Sequence, residues 1–295
     1  MTTDGLVVVD KPGGMTSHDV VARVRRLART RRVGHGGTLD PMATGVLVLG
    51  VGRATRLLTY VIGAGKGYAA TIRLGQSTVT DDAEGEIVAR TSAAGLTDTA
   101  ITAALARFTG EVEQVPSAVS AIKVDGRRAY HRVRAGEQVA LAPRRVTISR
   151  LDVRAIRRDA AGLVDVDVEL ECSSGTYVRA IARDLGVTLD AGGHLTALRR
   201  TAAGGFTLAE AVSLAELEAR APRVVTQTLA EAARRAFPQR ELSAEQARVV
   251  AHGGFLPPAG IAEPYAVFAP DGEVVAIVTE RDGRARPDVV LTPAA

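Results

Sequence analysis

The sequence predicts an α+β fold with a small β tail. Residues 164–172 alternate strictly between apolar and acidic side chains, the mark of a half-buried, antiparallel strand. Strands and helices elsewhere are interspersed without the regular alternation of a doubly wound sheet. After Pro238 the chain turns to short apolar runs separated by Asp271-Gly272 and Asp282-Gly283, as in a small β domain.

Leu6-Val7-Val8-Val9 predicts a strand, closed by a turn at Asp10-Lys11-Pro12-Gly13-Gly14. Ser17 is placed to cap a helix with Asp19 in its first turn. Val20, Val21, Val24, Leu27 and Ala28 recur at helical spacing, with Arg23, Arg25, Arg26 and Arg29 on the other faces. A glycine-rich stretch, Val33 to Gly45, precedes Val46-Leu47-Val48-Leu49, a buried strand. Residues 68–75 and 86–90 read as strands around a polar turn, and 97–108 as a short helix. Thr176 is placed to cap a helix running through Leu185, with Gly186 as its stop. Residues 209–236 read as helix and connection. In the tail, strands are expected at 266–268, 274–279 and 289–291.

The chain has 295 residues, 46% of them hydrophobic and only 3% aromatic. That length suits one large domain plus a smaller one, with a core of Val, Leu, Ile and Ala. No run approaches the roughly 18–20 apolar residues of a membrane span. The N-terminus lacks the features of a signal peptide, so a cytoplasmic protein is expected. Cys172 is the only cysteine and sits on the apolar face of residues 164–172, which reads as a core thiol. The five histidines are not spaced as zinc ligands. Gly50-Val51-Gly52 is no dinucleotide fingerprint, because Thr55 occupies the third glycine position, and no Walker A loop is present. No metal or nucleotide cofactor is therefore expected, and no long apolar surface helix argues against a monomer.

The net charge of +4 is unevenly spread: residues 17–35 and 117–145 each carry +5, leaving −6 on the rest. Two basic segments on a mildly acidic body suggest a polyanion partner. A solvated basic face is the plainer reading of the first segment.

The most unusual run is Gly34-His35-Gly36-Gly37-Thr38-Leu39-Asp40-Pro41-Met42-Ala43-Thr44-Gly45. Its glycines let backbone approach a ligand, and Pro41 biases Asp40 towards extended conformation. A carboxylate held this way suits nucleophilic or electrostatic catalysis. On residues alone, the organiser of a Gly-Pro turn is the plainer reading of Asp40.

GHGGTLDPMATGVLVLGVGRATR resembles the signature of the TruB family of tRNA pseudouridine-55 synthases, whose catalytic aspartate lies in GTLDP. VVVDKPGGMTSHDVV resembles the family's KPxGxTS motif, and Lys66-Gly67-Tyr68 its KxY motif. PSAVSAIKVDGRRAYHRVRAG resembles the PPxxSAxKxxGxRAYexAR segment, with His131 where an acid is commoner. CSSGTYVRAIARDLG and HLTALRRTAAGGF resemble the segments around the active-site arginine. Within Gln76–Gly85, Val79 stands where the family usually has an acid.

The resemblance implies a pseudouridine-synthase fold: a mixed, largely antiparallel sheet flanked by helices in residues 1–236, and a PUA-like domain in 237–295. It implies that uridine-55 in the T-loop of tRNA is flipped out, cleaved at its N-glycosidic bond, rotated and rejoined through C5. Asp40, Tyr68 and Arg179 become the expected catalytic set. Asp40 acts at the ribose or the base, Tyr68 stacks on the uracil, and Arg179 pairs with Asp40. Tyr177 and Leu198 would line the uracil pocket, and His35 would enter the T-loop rather than serve as acid or base. Lys11 is counted with the substrate-binding residues. The basic insertion, about 117–145, would contact phosphates through Lys123, Arg127, Arg128, Arg132, Arg134, Arg144 and Arg145, with Tyr130 packing or stacking. The resemblance implies no cofactor. The alternatives are a catalytically silent RNA-binding protein, for which Asp40, Tyr68 and Arg179 are superfluous, and an aspartate-nucleophile hydrolase, for which paired carboxylates and metal ligands are missing.

Overall fold

A computed structural model describes residues 4–63, 65–117, 123–124, 127–128 and 141–292, with backbone alone at 61–62, 123–124 and 127–128. Strand β1 (Gly5–Lys11) is buried except at Asp10. Helix α1 (Ser17–Leu27) is capped by Thr16, not Ser17: Asp19 N–H donates to the Thr16 hydroxyl and the Asp19 carboxylate accepts from Thr16 N–H. This reciprocal box satisfies two helix-end donors and frees the Ser17 hydroxyl for other work. The α1 face predicted from spacing is buried at Val20, Val21, Val24 and Ala28.

The glycine-rich stretch contains a strand that its composition hides, β2 (Val33–His35), antiparallel to β3 (Thr44–Val51). A 3-10 turn (Gly52–Arg56) and helix α2 (Leu58–Gly63) follow. Next come β4 (Lys66–Leu74), β5 (Gln76–Thr78), β6 (Ile87–Arg90), α3 (Asp98–Ala106) and β7 (Gly110–Gln114). The pairs β8 (Lys123–Val124) and β9 (Arg127–Arg128), then β10 (Arg144–Arg158) and β11 (Val164–Cys172), are antiparallel. Helix α4 (Val178–Thr188) starts after Tyr177, which makes no side-chain cap. Gly186 lies inside α4 rather than ending it: a Cβ there would sit 2.2 Å from the Gly192 carbonyl carbon, so glycine serves close packing. The remaining elements are β12 (Gly193–Ala203), β13 (Phe206–Thr207), α5 (Leu214–Arg220), β14 (Gln227–Thr228), α6 (Leu229–Ala236), β15 (Gln239–Glu241), α7 (Ala244–Ala251), β16 (Tyr265–Phe268), β17 (Val274–Arg281) and β18 (Arg284–Val290).

The chain forms two compact units, one of residues 1–41, 45–64 and 203–295, the other of 42–44 and 65–202. In the first, β1 lies between β14 and β3. The second sheet of this unit runs β15-β16-β17-β18. Its strands alternate as the period of two requires. Ala266, Phe268 and Ile277 join a core with Leu6, Val8, Val46, Val48 and Phe237, while Tyr265, Val267 and Val278 pack on Leu242 and Val250 of the α7 side. The short tail therefore draws apolar support from the N-terminal strands as well as from its own. Arg53 reinforces this, pairing with Asp4 and donating to the Leu291 carbonyl at 2.7 Å.

In the second unit the strand order is β12-β4-β11-β10-β7. Strand β11 buries Val164, Val166, Val168, Leu170 and Cys172, as its alternation predicts. Its acids are answered by cations from the neighbouring strands. Asp165 accepts two bonds of 2.7 Å from Arg73, Asp167 pairs with Arg157 and Thr71, and Glu169 and Glu171 pair with Arg154 and Arg150. Cross-strand pairs of this kind fix register more than they add stability. The α+β expectation holds. Among the described residues, no helix is long and apolar enough to cross a membrane.

Candidate active site

Asp40 sits in a loop pinned on both sides of it. Lys11 is 0% exposed, and its ammonium donates to the carbonyls of Pro12 at 2.9 Å, Met15 at 2.5 Å and Pro41 at 3.1 Å. Gly14 N–H donates to the same Pro41 carbonyl at 2.9 Å. The Ser17 hydroxyl accepts from Leu39 N–H at 2.8 Å and faces the Leu39 carbonyl at 3.1 Å. The residues flanking Asp40 are thus tied to the first turn and first helix, while Asp40 itself remains part-exposed. A buried ammonium is tolerated only with acceptors for its protons, and here loop carbonyls supply them. That is the structural purpose of the Lys11 to Ser17 motif, and it places Lys11 beneath the loop. His35, half-buried on β2, meets exposed His18 edge-on, with ring centroids 5.5 Å apart.

Much of the basic face of α1 is engaged within the protein. Arg23 and Arg26 face Glu218, and Arg25 donates to the Val33 carbonyl at 2.9 Å.

In the second unit, the start of α4 presents Tyr177 and Arg179. Buried Gln114 clips Tyr177 in place, accepting from its N–H at 2.7 Å and donating to its carbonyl at 3.0 Å. The Arg144 guanidinium lies 5.6 Å from the Tyr177 ring centroid, a cation–π contact. Arg179 donates to the Thr80 carbonyl at 2.9 Å and lies 3.4 Å from the Asp82 carboxylate. One helical turn later, Arg183 lies 3.4 Å from Asp81 and donates to the Val115 carbonyl at 2.8 Å. The segment 78–85 is braced internally: Thr78 donates to the Asp82 carbonyl at 2.8 Å, and Glu84 N–H donates to the Asp82 carboxylate at 3.0 Å. Val79, the departure noted in the sequence, is 47% exposed, while both acids that follow it face arginines of α4.

Tyr68 lies on β4 with its side chain on the buried face, beside Ala70, Ile72 and Leu74 in the alternation. Leu198 is buried on the adjacent β12 and lines a cleft of about 590 Å³ with Met42, Thr44, Thr71, Glu169 and Arg199. Lys66, two residues before Tyr68, donates to the Ser174 hydroxyl at 3.2 Å, and burial, then the nearby Arg200 charge, lowers its pKa. Burial pushes the Cys172 thiol upward, as fits a core residue. Lys123, Arg127 and Arg128 are described only as strand backbone, and Tyr130, Arg132 and Arg134 lie outside the described residues. Arg145 is exposed on β10. Among the described residues no group of three His, Cys, Asp or Glu side chains is set to hold a metal. Sequence reasoning missed Gln114 and Asp82, whose partners lie 63 and 97 positions away along the chain and leave no local pattern.

The pattern of the TruB family pseudouridylate synthase N-terminal domain matches residues 25–178. The tRNA pseudouridylate synthase B C-terminal domain follows at 179–236, and the tRNA pseudouridine synthase II C-terminal domain at 237–292. The chain belongs to the TruB family. A TruB relative from Arthrobacter sp. (strain FB24), a tRNA pseudouridine synthase B, is 58% identical over 299 residues, covering 98% of this chain and 97% of the relative. One from Thermobifida fusca (strain YX), with the same name, is 56% identical over 292 residues, covering 98% of each. Solved structures of a Cbf5-Nop10-Gar1 complex and an archaeal box H/ACA sRNP Nop10-Cbf5 complex both match with a TM-score of 0.73, at 24% and 25% identity. They cover 98% and 99% of this chain and 85% and 87% of the matched chains. The Cbf5 likeness bears on the fold, and the TruB relatives bear on the family.

Proposed function

We propose that this TruB-family chain isomerises uridine-55 in the T-loop of tRNA to pseudouridine, with Asp40 as the catalytic carboxylate. The observation that carries the reading is the loop of Asp40, held at Leu39 and Pro41 by buried Ser17 and Lys11. Such fixation gives a carboxylate the preorganisation that catalysis requires. Full-length relatives named tRNA pseudouridine synthase B support the reaction and the RNA class.

The N1–C1′ bond breaks with the help of Asp40, the uracil turns, and C5 bonds to C1′. N1 gains a proton and C5 loses one, so the reaction needs no co-substrate or redox partner. Tyr68 stacks on the flipped base, and Arg179 keeps Asp40 ionised and aligned. Tyr177 and Leu198 bound the uracil pocket, and His35 enters the T-loop. Lys11 contributes by holding the Asp40 loop. The segment about 117–145, through Lys123, Arg127, Arg128, Tyr130 and Arg132, grips the backbone of the T-stem-loop. The same proposal takes the working protein as a cytoplasmic monomer, divided into 1–236 and a PUA-like region at 237–295.

Mapping pseudouridine across a complete set of unmodified tRNAs after incubation with the protein tests this. Modification at position 55 alone is expected. Modification at other positions, with 55 left as uridine, overturns the site assignment.

A further inference from the structure

One departure from the family's motifs falls on a buried cluster: Ser117 stands at the second proline of the PPxxSAxK motif. Ser117 is 0% exposed. Its hydroxyl donates to the Thr80 carbonyl at 3.3 Å, and its oxygen faces Arg179 Nη1 at 3.5 Å. The Thr80 carbonyl also accepts from Arg179 Nη1, at 2.9 Å. Arg183 closes the arrangement, meeting Asp81 with one guanidinium nitrogen and the Val115 carbonyl with another. A proline at position 117 has no hydroxyl for Arg179 to meet. Asp81 adopts a left-handed φ of 60°, a conformation that Asp and Asn tolerate better than most residues.

We propose that Ser117, Asp81 and Arg183 are positioning residues for the isomerisation, acting through Arg179. Arg183 ties down Asp81, next to Thr80, and the Val115 carbonyl, two residues before Ser117, and the Ser117 and Thr80 oxygens, with the Asp82 carboxylate, fix the direction of the Arg179 Nη1 donor. Arg179 and Arg183 lie four residues apart on α4, so they share a helix face and one cluster can orient both. This inference rests on the reading that Arg179 takes part in the reaction.

The test measures single-turnover pseudouridine formation on an unmodified T-stem-loop, with RNA binding measured separately. Ser117→Ala is expected to slow the bound RNA's reaction about tenfold, as displacement of an aligned group does, with Kd changed less than about twofold. Ser117→Thr, which keeps the hydroxyl, is expected to recover most of the rate. Asp81→Asn is expected to slow the reaction similarly and to add little to Ser117→Ala, because groups that act as a unit are not additive. In an Arg179→Lys background, Ser117→Ala is expected to change the residual rate no further. An unchanged rate in Ser117→Ala, a loss appearing only in Kd, or the same tenfold loss in the Arg179→Lys background overturns the proposal. A wild-type rate in Arg179→Ala instead overturns the underlying reading of Arg179.

Discussion

Arg179 and Asp82 form an ion pair at 3.4 Å with only 5% and 3% of their side chains exposed. Arg179 opens helix α4, where its positive charge faces the positive end of the helix dipole. The compensation comes from the segment at 78–85, whose carbonyl and carboxylate face the guanidinium. Burying this arginine is affordable only with such partners.

Removing one member of the pair leaves the other charge buried. Asp82→Ala is therefore expected to destabilise the protein by about 3–5 kcal/mol, the usual cost of breaking a buried pair. The urea midpoint, with the slope unchanged, reads this directly. A change under about 1 kcal/mol, the range of exposed pairs, shows that Arg179 is held by other groups.

Lys11 is expected to matter for rate beyond its effect on stability. Lys11→Met keeps much of the side-chain volume but takes the ammonium from three carbonyls: those of Pro12 and Met15 lose this donor, and that of Pro41 keeps only Gly14 N–H, at roughly 1–3 kcal/mol for each group left unsatisfied. The Pro41 carbonyl is one of them, so the loop of Asp40 is expected to shift and turnover on bound RNA to fall about 100-fold. Measuring single-turnover rate and Kd separately checks this. A loss confined to Kd assigns Lys11 to RNA contact instead.

Asp81 gives the clearest pH dependence. Burial raises its pKa above the ordinary carboxylate range, against the opposing pull of Ser117, Arg183 and Arg179, with Asp184 adding to the rise. The folded pKa lies above the unfolded one, so the folded state binds the proton more strongly. Its contribution to stability is present below the unfolded pKa and is lost as pH rises through the folded pKa. Asp81→Asn cannot ionise, and relative to wild type it is expected to gain stability between pH 4 and pH 7. Urea midpoints of both proteins at the two pH values measure the difference. A variant that loses ground as pH rises shows that the ionised carboxylate is net stabilising.

What the sequence makes legible is what repeats locally. The acid–apolar alternation of 164–172 marks β11 because period two is visible within nine residues. The Asp40 loop is legible as a motif, but its support is not: Ser17 meets Leu39 across 22 positions and Lys11 meets Pro41 across 30. The cap of α1 shifts from Ser17 to Thr16 because two adjacent hydroxyl residues fit the capping pattern, and only the tertiary partner of Ser17 separates them. Strand β2 is three residues long and contains a glycine, too short to show a period. Helix α7 escapes a reading of the tail as pure β, although Ser243 and Gln246 form the capping box that begins it. Gly186 looks like a helix stop from composition alone, and the backbone of Gly192 explains why it is not.

Asp40→Asn tests Asp40 as the catalytic carboxylate with little change in shape. Wild type and variant are given an unmodified T-stem-loop at saturating enzyme, and pseudouridine is measured over time alongside RNA binding. Pseudouridine is expected from wild type, none detectable from Asp40→Asn, and RNA bound by both with similar Kd. Pseudouridine formed by Asp40→Asn at the wild-type rate contradicts that role.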